Sequence, residues 1–215
     1  MHMLFKKFVL SIVFIFIALA TSIVGYLYFA KQKPAFAAGN IINAASCNQA
    51  DVQTAVDAAV DGDTVVVPAG SCVWTNVLTI TKGINLVGAG SSSTIITNSV
   101  SNTITITLPS DIAMRISGFK FDKGTNLNGT FSAIYINGKT DGNFALTKLR
   151  IDNNTFNKGT RAVFSRGWVE GVIDHNNFIN CNIGIGIVGD NDYSWSRPIV
   201  AGTSSALFIE DNTFI

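Results

Sequence analysis

The chain has 215 residues, of which 47% are apolar and 13% are charged. This length suits a single domain, and the apolar fraction excludes a disordered chain. Four of the fifteen basic residues precede Ala38 and no acid does, so the remainder holds eleven basic and fourteen acidic residues. A mildly acidic body lacks the positive surface that nucleic-acid phosphates require, and we expect no nucleic-acid partner. With two His, three Cys and no CxxC pair, the usual zinc frameworks are also excluded.

The first 37 residues are typical of an export segment. Lys6 and Lys7 precede an uncharged apolar run over 8–30, and Ala35-Phe36-Ala37 is similar to a cleavage site. The run exceeds the roughly 7–15 residues of most signal cores and is long enough to cross a bilayer, so a retained membrane anchor is the alternative to a cleaved signal. Either interpretation places the body outside the cytoplasm, in the extracellular space or at the cell surface.

We expect residues 38–50 to form a linker and residues 51–215 to form one domain that begins with a helix. Apolar residues at the i, i+3, i+4, i+7 spacing predict an amphipathic helix over 51–60, and this face is formed by Val52, Ala55, Val56 and Ala59. In oxidising surroundings Cys47 and Cys72 are candidates for a disulfide, and the alternative is two small buried thiols. Cys181 would then be unpaired, and we expect it to be buried.

Beyond Gly62 the hydrophobic period changes to two, which predicts short β-strands separated by clusters of Gly, Asn, Asp and Ser. The predicted strands are 64–67, 78–80, 84–87, 94–97, 103–108, 115–121, 133–136, 148–151 and 169–173. The sequence contains no second helical pattern after the first. This excludes a doubly wound α/β sheet and leaves a β-sandwich or a β-solenoid.

A repeated hexad favours the solenoid. Each copy has an Ile followed five positions later by a Phe, and the copies are Ile116–Phe121, Ile151–Phe156, Ile173–Phe178 and Ile209–Phe214. Their starts are 35, 22 and 36 residues apart, as expected for coils of about 20–25 residues that carry insertions. Stacking such coils at the strand spacing of about 4.8 Å places Ile on Ile and Phe on Phe. We therefore predict an all-β, parallel β-solenoid.

The hexads also contain an Asn at one fixed position, namely Asn154, Asn176 and Asn212. At this position Asn tolerates a left-handed bend and can hydrogen-bond to the Asn of the next coil. The helix over 51–60 is placed to cover strand edges at the N-terminal end of the solenoid. The chain stops one residue after the last hexad, so we expect the domain to be truncated at its C-terminal end.

Three segments carry a resemblance to a known family: Cys47-Asn-Gln-Ala-Asp-Val-Gln-Thr-Ala-Val56, Asp61-Gly-Asp-Thr-Val-Val-Val-Pro-Ala-Gly70 and Thr81-Lys-Gly-Ile-Asn-Leu-Val-Gly-Ala-Gly90. The chain resembles the N-terminal cap and first coils of secreted proteins in the pectate-lyase-like superfamily. The resemblance implies a right-handed parallel β-helix with an N-terminal capping helix, and the apolar run over 8–30 predicts a signal or anchor helix before it. It implies an activity only weakly, because the superfamily includes polysaccharide lyases, glycoside hydrolases, phage tailspikes and adhesins.

The residue after each repeated Ile supplies the main candidate chemistry. If the Ile points inward, the next residue points outward and forms a surface column, which consists of Ser117, Asp152, Asp174 and Glu210. Neighbouring acids need a cation, a basic partner or a shared proton. Asp152, Asp174 and Glu210 are therefore candidate Ca²⁺ ligands of a lyase or candidate acid and base of a hydrolase. Arg166 and Lys158 are candidates for the base of a lyase, and the alternative is that the acids are solvated turn residues.

Two further groups have functional and structural interpretations. His175 is the one His outside the leader, and it is a candidate general acid or base or, alternatively, a turn residue. Aromatic and arginine residues in predicted insertions are typical of a sugar-binding surface or of loops packed on the body, and these are Trp168, Tyr193, Trp195, Arg166 and Arg197.

These features favour an exported protein that binds or processes a polysaccharide at or outside the cell surface. The alternative is a non-catalytic adhesin or structural surface protein. The expected partner is a polysaccharide or cell-surface glycan, and a membrane is contacted only if residues 8–30 are retained. Whether the protein is an enzyme stays open, and Ca²⁺ is the one cofactor that the acids suggest.

Overall fold

The computed structural model describes residues 39–123, 132–138, 146–188 and 207–215. Within these ranges the chain is predominantly β, with one short helix, and no helix there is long and apolar enough to span a membrane. The proposed leader over 1–37 lies outside the described residues. The elements are β1 (Ile41–Asn43), α1 (Gln49–Ala58), β2 (Thr64–Val67), β3 (Gly70–Trp74), β4 (Leu78–Ile80), β5 (Asn85–Gly88), β6 (Thr94–Asn98), β7 (Asn102–Ile106), β8 (Met114–Ser117), β9 (Lys120–Asp122), β10 (Ser132–Asn137), β11 (Leu146–Asp152), β12 (Thr155–Arg166), β13 (Val169–Asp174), β14 (Asn177–Val188), β15 (Leu207–Glu210) and β16 (Thr213–Phe214).

Among the described residues, seven strands form sheet 1, in the order β1-β2-β5-β8-β11-β13-β15. Every pair in this order is parallel. The chain leaves the sheet after each strand and returns to add the next one at the same edge, so neighbouring strands come from successive repeats. This arrangement is compatible with a solenoid and differs from a sandwich built of antiparallel strands.

Nine of the described strands form sheet 2, in the order β3-β6-β9-β12-β10-β7-β4, with β14 on β12 and β16 on β14. The first part of β12 pairs with β9 and its last part pairs with β10. The long strand β12 therefore extends two rows of short strands, the row that contains β9 and the row that contains β10. Lys158 and Asn180 have positive φ angles of 55° and 52° within β12 and β14, and they mark where these long strands bend.

The predicted columns of like side chains are confirmed. The four Ile residues of the hexads pair directly with one another along sheet 1. The four Phe rings stack along sheet 2, with centroid separations of 5.4, 5.0 and 4.7 Å between successive rings. Each stacked pair contributes about 0.5–1.5 kcal/mol beyond its buried area. The columns form the core of the described body, and their last members, Ile209 and Phe214, are exposed.

The Asn residues of the hexads form a hydrogen-bonded ladder, as the sequence predicted. The backbone N–H of Asn154 donates to Asn176 Oδ1 at 3.0 Å, and that of Asn176 donates to Asn212 Oδ1 at 2.9 Å. Asn176 Nδ2 also donates to the carbonyl oxygens of Ile151 (2.8 Å) and Asp174 (2.9 Å). The ladder therefore satisfies buried backbone groups where the chain leaves sheet 1.

The left-handed bend lies one residue earlier than predicted. Asn153, His175 and Asp211 have φ angles of 55°, 55° and 52°, while the ladder Asn residues do not. In the preceding coil Gly118, with φ of 80°, follows Ser117 at this position and separates β8 from β9. The continuous strand predicted over 115–121 is therefore wrong, because the chain turns between its two halves.

The helix α1 covers open strand edges, and it begins at Gln49, two residues before the predicted start. Gln53 Nε2 donates to the Thr79 carbonyl at 3.0 Å and its Oε1 accepts from the Thr79 N–H at 2.9 Å. One side chain thus replaces a missing neighbouring strand beside β4. Lys82 Nζ donates to the carbonyl of Ala59 at 2.6 Å at the end of the helix.

The segment 38–50 differs from the linker that we expected. Residues 41–43 form β1, which is paired with β2, and Cys47 is joined to Cys72 in a disulfide. The buried Trp74 donates its indole N–H to the Cys47 carbonyl at 2.8 Å. The compact body therefore begins near Gly39.

We expect Asn176→Ala to lower the free energy of unfolding by about 3 kcal/mol or more, because it leaves several buried backbone groups unpaired. The measurement is urea unfolding. Asn177→Ala is the matched control: Asn177 is exposed, and we expect a change within about 0.5 kcal/mol. Equal losses in the two variants would contradict the role assigned to the ladder.

Candidate functional site

The predicted column of acids is in register on sheet 1. Ser117 pairs with Asp152, Asp152 with Asp174, and Asp174 with Glu210. Because side chains alternate along a strand, the residues two positions earlier share the same face. These residues form a second row on the outer face of sheet 1, namely Arg115, Arg150, Val172 and Phe208. The outer face therefore carries a row of acids beside a row that begins with two arginines.

Asp152 is buried, which differs from the surface column that we expected and from the alternative of solvated turn residues. Its side chain has no exposed surface, and Arg115 covers it through Nε–Oδ1 and Nη2–Oδ2 hydrogen bonds of 2.7 and 2.6 Å. Asn153 Nδ2 donates to Asp152 Oδ2 at 2.6 Å. Burial acts to raise the pKa of the Asp152 carboxyl, but the hydrogen bonds from Arg115 and Asn153 outweigh it and the pKa is lowered. Asp152 is therefore an ionised, paired carboxylate.

Asp174 repeats this arrangement one coil later. Arg150 Nε and Nη2 donate to its two oxygens at 3.2 and 2.9 Å, and His175 Nδ1 lies 2.8 Å from Oδ2. Burial acts to raise the pKa of Asp174, but the hydrogen bonds from Arg150 and His175 outweigh it and lower the pKa. Arg150 also lies 3.7 Å from Asp152. The resulting chain of alternating charges, Arg115–Asp152–Arg150–Asp174, is called the charge ladder below.

The charge ladder decides how the stacked acids avoid repulsion. The sequence predicted that neighbouring acids need a cation, a basic partner or a shared proton. Asp152 and Asp174 have basic partners. Sequence reasoning missed Arg115 and Arg150, although each stands directly before a repeated Ile and so occupies a fixed position in the hexad pattern. That position was the signal that could have revealed them.

The arrangement does not suit a Ca²⁺ site. Calcium needs six to eight oxygen ligands, whereas the oxygens of Asp152 and Asp174 point to guanidinium groups. Among the described residues, no three His, Cys, Asp or Glu side chains are grouped so as to hold a metal ion. Glu210, the third proposed ligand, is exposed at the last strand of sheet 1.

The remaining candidates lie in different places. Arg166 is exposed at the end of β12 in sheet 2, whereas the acids belong to sheet 1. Trp168 is half-buried and donates its indole N–H to Glu170 Oε1 at 2.7 Å. Lys158 is exposed at the bend of β12. Tyr193, Trp195 and Arg197 lie outside the described residues.

The outer face of sheet 1 offers polar and apolar contacts in one row. Arg115 and Arg150 keep 39% and 50% of their side-chain surface exposed while their guanidinium groups are fixed by carboxylates. Val172 and the half-buried Phe208 continue the same row, and the exposed His175 lies beside Asp174. Such a row presents hydrogen-bond donors and an aromatic ring at successive strand positions.

Comparison with models of known protein families, with curated proteins and with solved structures finds no match. The functional interpretation therefore depends on the geometry of the two sheets and on the side chains that they position.

We expect Arg115→Met to lower the free energy of unfolding at pH 7 by about 2 kcal/mol, a value reduced because Arg115 is partly exposed. The folded-state pKa of Asp152 lies below its usual 3.8, so the stabilisation is present above pH 3.8 and is lost as the pH falls through the folded-state value. The difference in the free energy of unfolding between the variant and the native chain should therefore be smaller near pH 3 than at pH 7. Urea unfolding at both pH values measures it.

The control for this experiment is Lys148→Met. Lys148 pairs with Asp111 at 3.3 Å but is 56% exposed, so we expect a change of at most about 1 kcal/mol at pH 7. A loss for Arg115→Met that is equal at pH 7 and pH 3 would contradict the role of the ion pair.

Proposed function

We propose that the chain is an exported right-handed parallel β-helix of the pectate-lyase-like kind, and that it binds a polysaccharide at the cell surface without cleaving it. The parallel sheets, the Ile and Phe columns and the helix over the first strand edges support this architecture. The export segment over 1–37 supports the location.

The charge ladder is the observation that carries the proposal of binding without chemistry. A general acid must hold a proton near neutral pH, which requires a raised pKa. The pKa values of Asp152 and Asp174 are lowered instead, because arginines donate to both carboxylates. A general base must accept a proton, but the oxygens of these carboxylates are occupied by guanidinium hydrogen bonds. Asp152 and Asp174, two of the side chains expected to perform catalysis, therefore stabilise the stack of strands.

The same ladder favours a role in recognition. Guanidinium groups fixed by carboxylates are preorganised donors, so little side-chain entropy is lost when they meet sugar hydroxyls. Phe208 offers an apolar surface in the row of Arg115 and Arg150, and sugar rings pack on such surfaces. A linear polymer that follows the row meets one side chain at each strand, about every 4.8 Å.

The test is binding of the full chain to a panel of neutral and acidic polysaccharides by affinity electrophoresis, with Phe208→Ala as the variant. We expect affinity for the bound polymer to fall about fivefold or more, since an aromatic contact is lost. Ile95→Ala is the matched control, because Ile95 is half-buried on sheet 2, and its affinity should be unchanged.

Two results would overturn the proposal. One is the absence of binding to every polymer in the panel. The other is release of new reducing ends or of unsaturated sugar products by the purified native chain, since either would show cleavage.

A further inference from the structure

The outer row of sheet 1 that ends at Phe208 continues beyond Arg115 toward the first strands of the sheet. The strand register pairs Arg115 with Asn85 and Asn85 with Thr64. Ile41 pairs with Thr64 at the far end. The row therefore has one side chain on each of the seven described strands, and at about 4.8 Å per strand it is about 29 Å long. All seven residues are partly or fully exposed, and only the two arginines among them are charged.

The two arginines of the row have part of their donors in use. Arg115 donates from Nε and Nη2 to Asp152. Arg150 uses the same two atoms to donate to Asp174. A guanidinium group has five N–H donors, so each arginine retains donors for a further oxygen atom. The positive charge of each guanidinium is, however, already balanced by a carboxylate.

An acidic sugar would have to compete with these carboxylates. A ligand anion that displaced Asp152 from Arg115 would leave a buried carboxylate without its partner, which is strongly unfavourable. An anion on the remaining N–H groups would lie close to the same carboxylate and be repelled by it. A sugar hydroxyl carries no charge, so it can accept from a remaining N–H while the ion pair stays intact.

The other charges of this face do not supply an excess of positive charge. Lys148 Nζ lies 3.3 Å from the carboxylate of Asp111. On the described strands of sheet 1, each arginine and lysine is therefore paired with an acid. Glu210 is exposed on β15 and has no ion-pair partner among the described residues. It adds a negative charge beside the end of the row.

We propose that the outer face of sheet 1 selects a neutral, hydroxyl-rich polysaccharide and disfavours polymers that carry carboxylate or sulfate groups. This inference rests on the proposed polysaccharide binding and names the class of polymer. Asn85 and Thr64 are hydrogen-bonded to each other at 3.4 Å, and their amide and hydroxyl groups both donate and accept hydrogen bonds. Val172 and Phe208 offer apolar surface to the C–H groups of sugar rings.

The test compares polymers that share a backbone and differ in charge, with the full chain at pH 7 and low ionic strength. The pairs are hydroxyethyl cellulose with carboxymethyl cellulose, dextran with dextran sulfate, and pullulan with carboxymethyl pullulan. Any other neutral polymer that binds is compared with its carboxymethylated form. Biolayer interferometry on the immobilised polymers measures affinity, and we expect the neutral member to be bound about tenfold or more tightly than the acidic member. Added salt should reduce this difference, because salt screens the repulsion between exposed charges.

The variant Glu210→Gln removes one negative charge from this face and keeps the shape of the side chain. We expect the affinity for the acidic member, relative to that for the neutral member, to rise about twofold or more. Asp57→Asn is the matched control, because it removes one exposed acid on α1 rather than on sheet 1. It should leave the ratio of the two affinities unchanged.

The outcomes separate this inference from the proposed function. Binding of the acidic member as tightly as the neutral member, or more tightly, overturns the selection of a neutral polymer and leaves polysaccharide binding in place. Equal effects of Glu210→Gln and Asp57→Asn on the affinity ratio also overturn the inference, since the preference would then not be set on sheet 1. The absence of binding to every polymer overturns the inference and the proposed function together.

Discussion

The structure depends on the register between successive coils. Each hexad after the first places its Ile on the preceding Ile and its Phe on the preceding Phe, and a slip of one residue would turn these side chains out of the core. Hydrophobic columns alone do not prevent a slip of two residues. The Asn ladder does, because Asn176 must reach the carbonyls of Ile151 and Asp174 and the N–H of Asn154 at the same time.

The same register creates the main electrostatic problem of the fold. A residue type that recurs at one position of the repeat lies beside its own kind on the neighbouring strand. This proximity stabilises stacked Phe rings, but it makes Asp carboxylates repel one another. The chain solves the problem within the repeat, since Arg115 and Arg150 stand two positions before Ser117 and Asp152 on the outer face. Each arginine therefore reaches the acid of the next coil, where Arg115 meets Asp152 and Arg150 meets Asp174.

The sequence predicted those features correctly that depend only on a local repeat of residue types. Hydrophobic spacing located α1 and most short strands, and the hexads located the columns and the ladder. It failed where the outcome depends on residues distant in the chain. The burial of Asp152 follows from Arg115, which lies 37 residues away, and β12 and β14 are long because each pairs with two rows of the stack. The pairing of β1 with β2 likewise could not be predicted, because Ile41–Asn43 is short and lies before the helix.

Two buried charges on opposite sheets show that the balance between burial and hydrogen bonds decides whether the fold stabilises an ionised side chain. The pKa of Asp152 is lowered because arginine hydrogen bonds outweigh its burial, so the fold itself stabilises the charged form. The pKa of Lys123 is lowered because burial dominates, so the fold disfavours the charged form. The first charge stabilises the stack and needs no further partner. The second is destabilised by burial, because taking an ammonium group out of water disfavours its charged form.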